Sequence, residues 1–449
     1  MSIDSFVSAH KIRLLFTLAM SKMYQEEVPQ YAKLCSLVTA VNNQVLEKNL
    51  HLLSGQEKSS LSIERHGAIR LGTAEELSTM RRLFAVMAML PVDYYDLSVA
   101  GIPVHSTAFR SIDVESLETS PFRVFTSLLR LDLIDDSDLR KQAEQILSKR
   151  HIFSEALLNL IETSEQQGGL NKSQTDDFVL EALKVFCWHQ NATVDKETYD
   201  DLNQAHRLIA DVVSFKAPHI NHLTPRTLDI DEVQVQLTAQ GFKAKAIVEG
   251  PPARLIPILL RQTSFIALEE AIIFSGNDSN REAGTHTARF GEIEQRGIAL
   301  TPKGRDLYDR LLQQARSADG EYERNLKIAF EEFPDSHEEL RDQALAYYQY
   351  SVGNDKLDLA ASSNVNDLID NGSLAVTPIV YEDFLPVSAA GIFQSNLSNQ
   401  ASQEAGHSPN QDKFETDLGA SVIDSFSLYE QMQKVSLDKA LKKLEMENQ

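Results

Sequence analysis

The chain has 449 residues, of which 42% are hydrophobic and 24% are charged, and its formal net charge at pH 7 is -22. These proportions are ordinary for a globular protein, and the length allows one large core or two domains. The acidic balance excludes a general nucleic-acid binder, which needs a basic surface to meet the phosphates.

Nothing in the sequence indicates secretion or a membrane span. The first residues lack the basic stretch and apolar run of a signal peptide, and no run of ~18 apolar residues could span a bilayer. The two cysteines, Cys35 and Cys187, lie in apolar helical contexts, so a disulfide framework and a zinc finger are both poor interpretations. We expect a soluble cytoplasmic protein.

Hydrophobic periodicity divides the chain into five segments. They are a helical segment at residues 1–60, a first module at 61–120, a mostly helical insertion at 121–215, a second module at 216–302, and a mostly helical C-terminal part at 303–449.

The first module has a strand, a helix and two further strands. Its first strand contains His66. Thr73 begins a capping box in front of an apolar stripe at helical spacing, and Pro91 is expected to stop this helix. Two short strand-like runs follow, at residues 94–97 and 104–110.

The second module repeats this order of elements. A strand with His222 precedes a helix that Asp229 or Asp231 could cap and that ends at Gly241. Strand-like runs follow at residues 243–249, 256–263 and 288–300. The chain therefore repeats a β-α-β-β architecture without repeating its sequence.

Two histidines and one glutamate stand out because each lies in a strand of one of the modules. His66 and His222 open the two modules, and Glu292 lies in the last strand of the second. Two neutral imidazoles and one carboxylate form the facial triad of non-haem iron(II) oxygenases, which leaves three metal positions open. We therefore predict a metal held by these three side chains.

Two other residues compete with the predicted ligands. Side chains alternate faces along a strand, so Glu292 and Glu294 share a face and either could bind the metal. His219 lies three residues before His222, on the opposite strand face by alternation, and is a weaker alternative to it.

The same alternation places Arg70 on the strand face that carries His66. A guanidinium there can form a bidentate pair with a substrate carboxylate near the metal. His105 and His286 are either hydrogen-bond partners of the site or packed polar residues. Arg261 either contacts substrate or pairs with one of the many carboxylates.

Four segments resemble a known family. The stretches ERHGAIR at residues 64–70, NHLTPR at 221–226, RFGEIEQRG at 289–297 and LPVSAAGIF at 385–393 resemble the 2-oxoadipate dioxygenase/decarboxylase family. The resemblance extends over nearly the whole chain. That family belongs to the vicinal oxygen chelate superfamily, whose βαβββ modules match the repeated pattern.

The resemblance implies a fold and a cofactor. The fold would be α+β, with vicinal oxygen chelate-like βαβββ modules forming a curved sheet around a metal, and with large helical additions. His66, His222 and Glu292 would hold Fe(II). Glu292 is favoured over Glu294 because residues 290–296 are also similar to the metal-glutamate strand of 4-hydroxyphenylpyruvate dioxygenase.

The resemblance also implies a reaction. A 2-oxo dicarboxylic acid, 2-oxoadipate, would react with O2 to give 2-hydroxyglutarate and CO2, and no separate 2-oxoglutarate would be needed. Arg70 would bind a substrate carboxylate, and Val387 and Ser388 would line the substrate pocket. No nucleic-acid or membrane partner is expected, and the sequence leaves the oligomeric state open.

Other functions remain open from the sequence. A different vicinal oxygen chelate metalloenzyme acting on a related 2-oxo acid, or a non-catalytic metal-binding relative, would share the predicted site. Residues 298–308 look like the wing-to-helix segment of DNA-binding winged-helix regulators, but the acidic charge opposes this. A strand followed by a helix that Thr301 caps, with Pro302 in its first turn, explains the segment more simply.

Overall fold

The structure is a computed structural model that describes residues 6–49, 53, 55–276, 282–318, 321–353, 364–385 and 409–447. It divides into two compact units. One unit holds the described residues of Met1–Val248, Gln262–Glu294 and Pro386–Val422, and the other holds those of Glu249–Arg261, Gln295–Leu385 and Ile423–Gln449. No helix in the described ranges is long and apolar enough to cross a membrane.

Helices in the described chain run, in order, over Ala9–Glu27 (α1), Pro29–Lys48 (α2), Gly55–Ser60 (α3), Ala74–Val86 (α4), Val114–Thr119 (α5), Ser137–Leu147 (α6), Glu155–Gln167 (α7), Lys172–Leu183 (α8), Lys196–Ala205 (α9), Arg207–Val213 (α10), Ile230–Ala239 (α11), Pro302–Ser317 (α12), Tyr322–Ala329 (α13), His337–Asp342 (α14), Val365–Asp370 (α15), Pro409–Leu418 (α16) and Ser425–Glu447 (α17). Strands run over His66–Leu71 (β1), Leu90–Asp96 (β2), Val104–Arg110 (β3), Arg123–Leu129 (β4), His222–Thr224 (β5), Leu260–Ser264 (β6), Glu269–Ile273 (β7), Ala283–Thr287 (β8), Phe290–Arg296 (β9), Tyr348–Val352 (β10) and Leu374–Pro378 (β11).

A seven-stranded sheet carries both histidine strands, in the order β2-β3-β4-β1-β5-β9-β6. The strand that begins at His66, β1, pairs in parallel with β4 and antiparallel with β5, the strand that begins at His222. Strand β5 pairs in parallel with β9. The two modules thus join through their first strands, and the predicted α+β fold with βαβββ-type modules is confirmed.

Helix α4 covers the sheet face that does not carry His66. The Thr73 hydroxyl caps this helix by accepting the backbone N–H of Glu76 at 3.2 Å, as the capping box predicts. The ring of Phe84 packs 4.8 Å from that of Phe109 in β3. Strand pairing places Phe109 on the face of Gly67, which points away from the His66 side chain.

The prediction of a mostly helical insertion at residues 121–215 is wrong for the first residues of this range. Arg123–Leu129 is a strand, β4, and completes the first module. All of its residues are buried. A strand covered on both faces lacks the alternation of polar and apolar residues that predicts a strand, so its apolar run resembles that of a helix.

The second module also differs from its prediction. Residues 243–249 form no strand: they contain only isolated bridge positions, such as Ala244 beside Phe265, and none of their side chains is buried. Strands β7 and β8 form a separate hairpin that the sequence did not predict. The module therefore contributes three strands to the main sheet.

The other unit contains most of the predicted helical C-terminal part. Helix α12 begins as predicted, because the Thr301 hydroxyl accepts the backbone N–H of Gly304 at 3.1 Å and Pro302 occupies the first turn. The range is not entirely helical, since β10 and β11 pair as an antiparallel hairpin. Leu374 of this hairpin packs with Leu444 of α17 in one apolar cluster.

A buried arginine fixes α1 to the ends of α4 and α5. The Arg13 side chain is 0% exposed. Its guanidinium donates to the carbonyl oxygens of Ser120 (3.0 Å), Met87 (2.8 Å) and Ser116 (2.8 Å), and to the Ser116 hydroxyl (2.7 Å). The Met87 and Ser120 carbonyls lie just past the ends of their helices, where backbone carbonyls lack partners inside their own helix, whereas the Ser116 carbonyl also accepts the backbone N–H of Ser120.

We predict that Arg13→Met lowers the free energy of unfolding by about 3 kcal/mol, because it leaves buried carbonyl acceptors without donors. Urea denaturation followed by circular dichroism measures the change. Arg82→Met is the control, since Arg82 pairs with Glu165 at the surface, and such pairs contribute about 0–1 kcal/mol. Equal losses in the two variants would contradict this account.

Candidate metal centre

Strand register brings the three predicted ligands to one face of the sheet. His66 lies opposite Thr224, and Ala68 lies opposite His222. His222 in turn lies beside Phe290, so Glu292, two residues further along β9, points to the same face. Two strand pairings, β1 with β5 and β5 with β9, therefore hold these side chains together.

The three side chains form a compact buried group. One possible ligand atom from each of His66, His222 and Glu292 lies within 4.8 Å of the others, and this is the one such group in the described part of the chain. The His66 Nε2 atom is 2.8 Å from Glu292 Oε1, and His222 Nε2 is 3.9 Å from the same oxygen. The group could hold a divalent metal.

His222 provides the clearest fit to a metal. Its ring is 0% exposed, yet neither ring nitrogen has a hydrogen-bond partner among the described residues. Burial lowers the pKa of His222 to about 3, so the ring is neutral and carries a lone pair. A buried polar atom without a partner is costly, and a metal ion would provide the missing one.

Glu294 holds His66 from the opposite side of its ring. Glu294 Oε2 is 2.7 Å from His66 Nδ1, whereas Glu292 meets Nε2. A carboxylate on Nδ1 fixes the tautomer that presents the Nε2 lone pair to a metal. The sequence left Glu294 open as a ligand, and the structure places its carboxylate beside His66 Nδ1, on the other side of the ring from Glu292.

Glu292 is oriented by two further side chains. The Gln262 amide donates to Glu292 Oε1 at 2.6 Å, and the Thr224 hydroxyl donates to the same oxygen at 3.3 Å. Burial opposes ionisation of Glu292, but the hydrogen bond with His66 outweighs it and lowers the pKa of the carboxyl. The group therefore presents a carboxylate at neutral pH. No sequence spacing links Gln262 to Glu292, so only the structure shows this contact.

Arg70 is buried on the same sheet face as His66, as predicted, and it already has an acidic partner. Its Nη1 donates to Asp211 Oδ2 at 2.5 Å. His286 Nε2 donates to the other oxygen of Asp211 at 2.8 Å. His286 is therefore a neighbour of Arg70 and not of the metal group.

His219, His105 and Arg261 each have contacts other than the three predicted ligands. His219 Nε2 is 3.5 Å from Asp211, so it does not replace His222. Strand pairing puts His105 on the face opposite to His66, where its ring packs against Phe414. Arg261 donates to the carbonyl oxygen of Pro251 at 2.9 Å. Val387 and Ser388 lie outside the described residues.

The fold and the buried group together define a protein with a candidate metal centre of the two-histidine, one-carboxylate class. A family model described as 2-oxoadipate dioxygenase/decarboxylase matches residues 16–396. The chain belongs to this family, and the resemblance seen in the sequence is confirmed.

Individual relatives agree with this assignment. A 2-oxoadipate dioxygenase/decarboxylase of Escherichia coli (strain K12) is 53% identical over 440 residues, which cover 96% of this chain and 98% of that protein. The protein of the same name from Pseudomonas putida is also 53% identical, over 456 residues and 97% of each chain. A crystal structure of hydroxyglutarate synthase from Pseudomonas putida in complex with 2-oxoadipate matches with a TM-score of 0.89 at 50% identity, covering 98% of this chain and 99% of that one.

The two carboxylates beside His66 should differ in their effect on metal binding. We predict that Glu292→Gln weakens the binding of Co(II) by more than about 100-fold, because it removes an anionic ligand. Glu294→Gln should weaken it by about 10- to 100-fold, as expected for a partner of a ligating histidine. Calorimetric titration of the metal-free protein measures both.

Glu282→Gln is the control for these variants, because Glu282 is an exposed carboxylate paired with Lys196. It should bind the metal as the unmodified protein does. Normal binding in Glu292→Gln together with loss of binding in Glu294→Gln would reverse the assignment of the two residues.

Proposed function

We propose that this protein is an iron(II)-dependent dioxygenase that converts 2-oxoadipate and O2 to 2-hydroxyglutarate and CO2. The observation that carries the proposal is the buried group of His66, His222 and Glu292, in which neither ring nitrogen of His222 has a hydrogen-bond partner among the described residues. Membership of the family and the 2-oxoadipate complex of the Pseudomonas putida relative support the choice of substrate.

The choice of iron rests on the donor set. Two imidazoles and one carboxylate suit iron(II) and leave three coordination positions, enough for a bidentate 2-oxo acid and dioxygen. Bound iron would bring the substrate and dioxygen together and supply the electrons that dioxygen activation requires. Zinc or nickel also fits such a donor set, so the activity must be measured on protein loaded with iron(II).

The chain's own residues hold the centre in one geometry. Glu294 keeps the Nε2 lone pair of His66 directed at the metal position, and Gln262 and Thr224 fix one oxygen of Glu292. Because these partners already fix the ligand side chains, the side chains need not reorganise during the reaction. The ligands are at most 2% exposed, so bulk water is kept from the reacting atoms.

Arg70 is proposed to bind a carboxylate of the substrate. It lies on the sheet face of the metal group, and its charge is close enough to lower the pKa of His222. A guanidinium has five N–H donors in a planar fork, so it can serve Asp211 and a substrate carboxylate together. This is the physical reason to expect an acidic substrate. Val387 and Ser388 are proposed to line the pocket on the resemblance to the family alone.

The proposed reaction can be tested with purified protein loaded anaerobically with Fe(II). We predict that one O2 is consumed for each 2-oxoadipate, with one CO2 and one 2-hydroxyglutarate formed and no need for added 2-oxoglutarate. An oxygen electrode and mass spectrometry measure these amounts. Release of CO2 without uptake of O2, or activity only with added 2-oxoglutarate, would contradict the proposal.

Arg70→Ala should keep the metal and lose turnover at low substrate concentration. Removing a charged partner from a desolvated carboxylate costs roughly 2 kcal/mol or more, so kcat/KM for 2-oxoadipate should fall by at least about 30-fold. Steady-state oxygen uptake measures kcat/KM, and metal analysis checks occupancy. An unchanged KM would show that another cation binds the substrate.

A further inference from the structure

A second network of buried polar side chains lies next to the metal group and takes no part in it. Its centre is Asp211 in α10, which is 6% exposed. One carboxylate oxygen accepts from Arg70 Nη1 at 2.5 Å, and the other accepts from His286 Nε2 at 2.8 Å. His286 Nδ1 meets the hydroxyl of Tyr199 at 2.8 Å.

The contacts run in one direction through four elements. Each side chain lies within hydrogen-bond distance of the next in the order Tyr199 of α9, His286 of β8, Asp211 of α10 and Arg70 of β1. Because the Asp211 carboxylate can only accept, His286 must carry a proton on Nε2, and its Nδ1 can then accept from the Tyr199 hydroxyl. The chain of contacts thus ends at the Arg70 guanidinium.

Asn221 adds a second restraint on the same arginine. In the amide orientation that satisfies its neighbours, its side-chain oxygen accepts from Arg70 Nη1 at 3.0 Å and from His219 Nε2 at 3.1 Å. Asn221 directly precedes the predicted ligand His222. The position of the guanidinium is therefore tied to the start of the strand that carries a metal ligand.

Stability alone is a weak reason for such a network. Buried ion pairs give little net stability compared with apolar side chains of the same size, since both charges must be desolvated. A long arginine side chain also has many rotamers, and fixing one costs conformational entropy. Both costs are offset if the guanidinium must meet a substrate in a single orientation.

We propose that Asp211 is a positioning residue for substrate binding, which acts by holding the Arg70 guanidinium toward the sheet face of the metal group, with His286 and Tyr199 holding Asp211. This inference rests on the proposed function. It adds a specific task for Asp211 and Tyr199, which the sequence did not connect with the site, and for His286, which was predicted only as a possible hydrogen-bond partner.

The charge state of Asp211 agrees with this task. Burial favours its neutral form, but the charge of Arg70 and the contacts with His219 and His286 outweigh burial and hold the pKa of Asp211 well below its ordinary range. Asp211 therefore stays ionised and keeps accepting from Arg70 throughout the neutral pH range.

The test compares Asp211→Ala with Asp211→Asn in the iron-loaded protein. Asparagine keeps an acceptor oxygen for Arg70 without the charge, whereas alanine removes the acceptor. We expect Asp211→Ala to raise the KM for 2-oxoadipate by at least about 10-fold with kcat within about 3-fold of the unmodified protein, and Asp211→Asn to return the KM to within about 3-fold. Equal effects of the two substitutions, or a loss of kcat at unchanged KM, would overturn the proposal.

A double-mutant cycle separates positioning from general damage. If Asp211 acts through Arg70, adding Asp211→Ala to Arg70→Ala should change kcat/KM by less than about 2-fold. The double variant should also melt at a higher temperature than Asp211→Ala, because it no longer buries an unpaired charge. Effects of the two substitutions that multiply would show that Asp211 acts independently of Arg70.

Failure of this inference can be told apart from failure of the proposed function. If the unmodified protein consumes no O2 with 2-oxoadipate, the proposed function is wrong. If it is active and Asp211→Ala keeps a normal KM, only the role of Asp211 is wrong. Iron content measured in each variant confirms that the metal group itself is intact.

Discussion

The antiparallel pairing of β1 with β5 is the constraint on which the site depends. It sets His66 opposite Thr224 and Ala68 opposite His222, so both histidines point to one face of the sheet. A shift of this register by one residue would turn one histidine to the other face, where α4 packs. The two modules can therefore build a common centre only when they join through these strands in this register.

The centre is a set of buried polar groups that restrain one another. Glu294 meets one nitrogen of His66 and Glu292 meets the other, while Gln262 and Thr224 meet Glu292. Burial makes each of these groups costly unless it is partnered. Among the described residues of this centre, His222 is the one whose side chain has no hydrogen-bond partner. This missing partner indicates a metal position more directly than the presence of two carboxylates does.

Much of the fold could be predicted from local pattern. The Thr73 cap and the apolar stripe predicted α4, and β3 runs over the residues expected of it. Strand β4 was missed because its residues are buried on both faces and show no alternation. The separate β7–β8 hairpin was missed because the pattern gave no reason to place these residues outside the main sheet.

The site could be predicted only in part. Strand alternation and the family resemblance named His66, His222, Glu292 and Arg70, but alternation could not separate Glu292 from Glu294, which share a face. Asp211 lies 141 positions from Arg70, inside a short apolar helix, and no spacing rule joins the two. Contacts between distant segments are set by tertiary packing, which a single sequence does not display.

The most direct test of the central claim is anomalous diffraction at the iron edge from crystals grown without oxygen and soaked with Fe(II) and 2-oxoadipate. We predict one iron peak within about 2.0–2.3 Å of His66 Nε2, a ring nitrogen of His222 and a carboxylate oxygen of Glu292. We also predict substrate density that fills two of the remaining positions. An iron peak elsewhere in the chain, or one bound by Glu294 in place of Glu292, would contradict the claim.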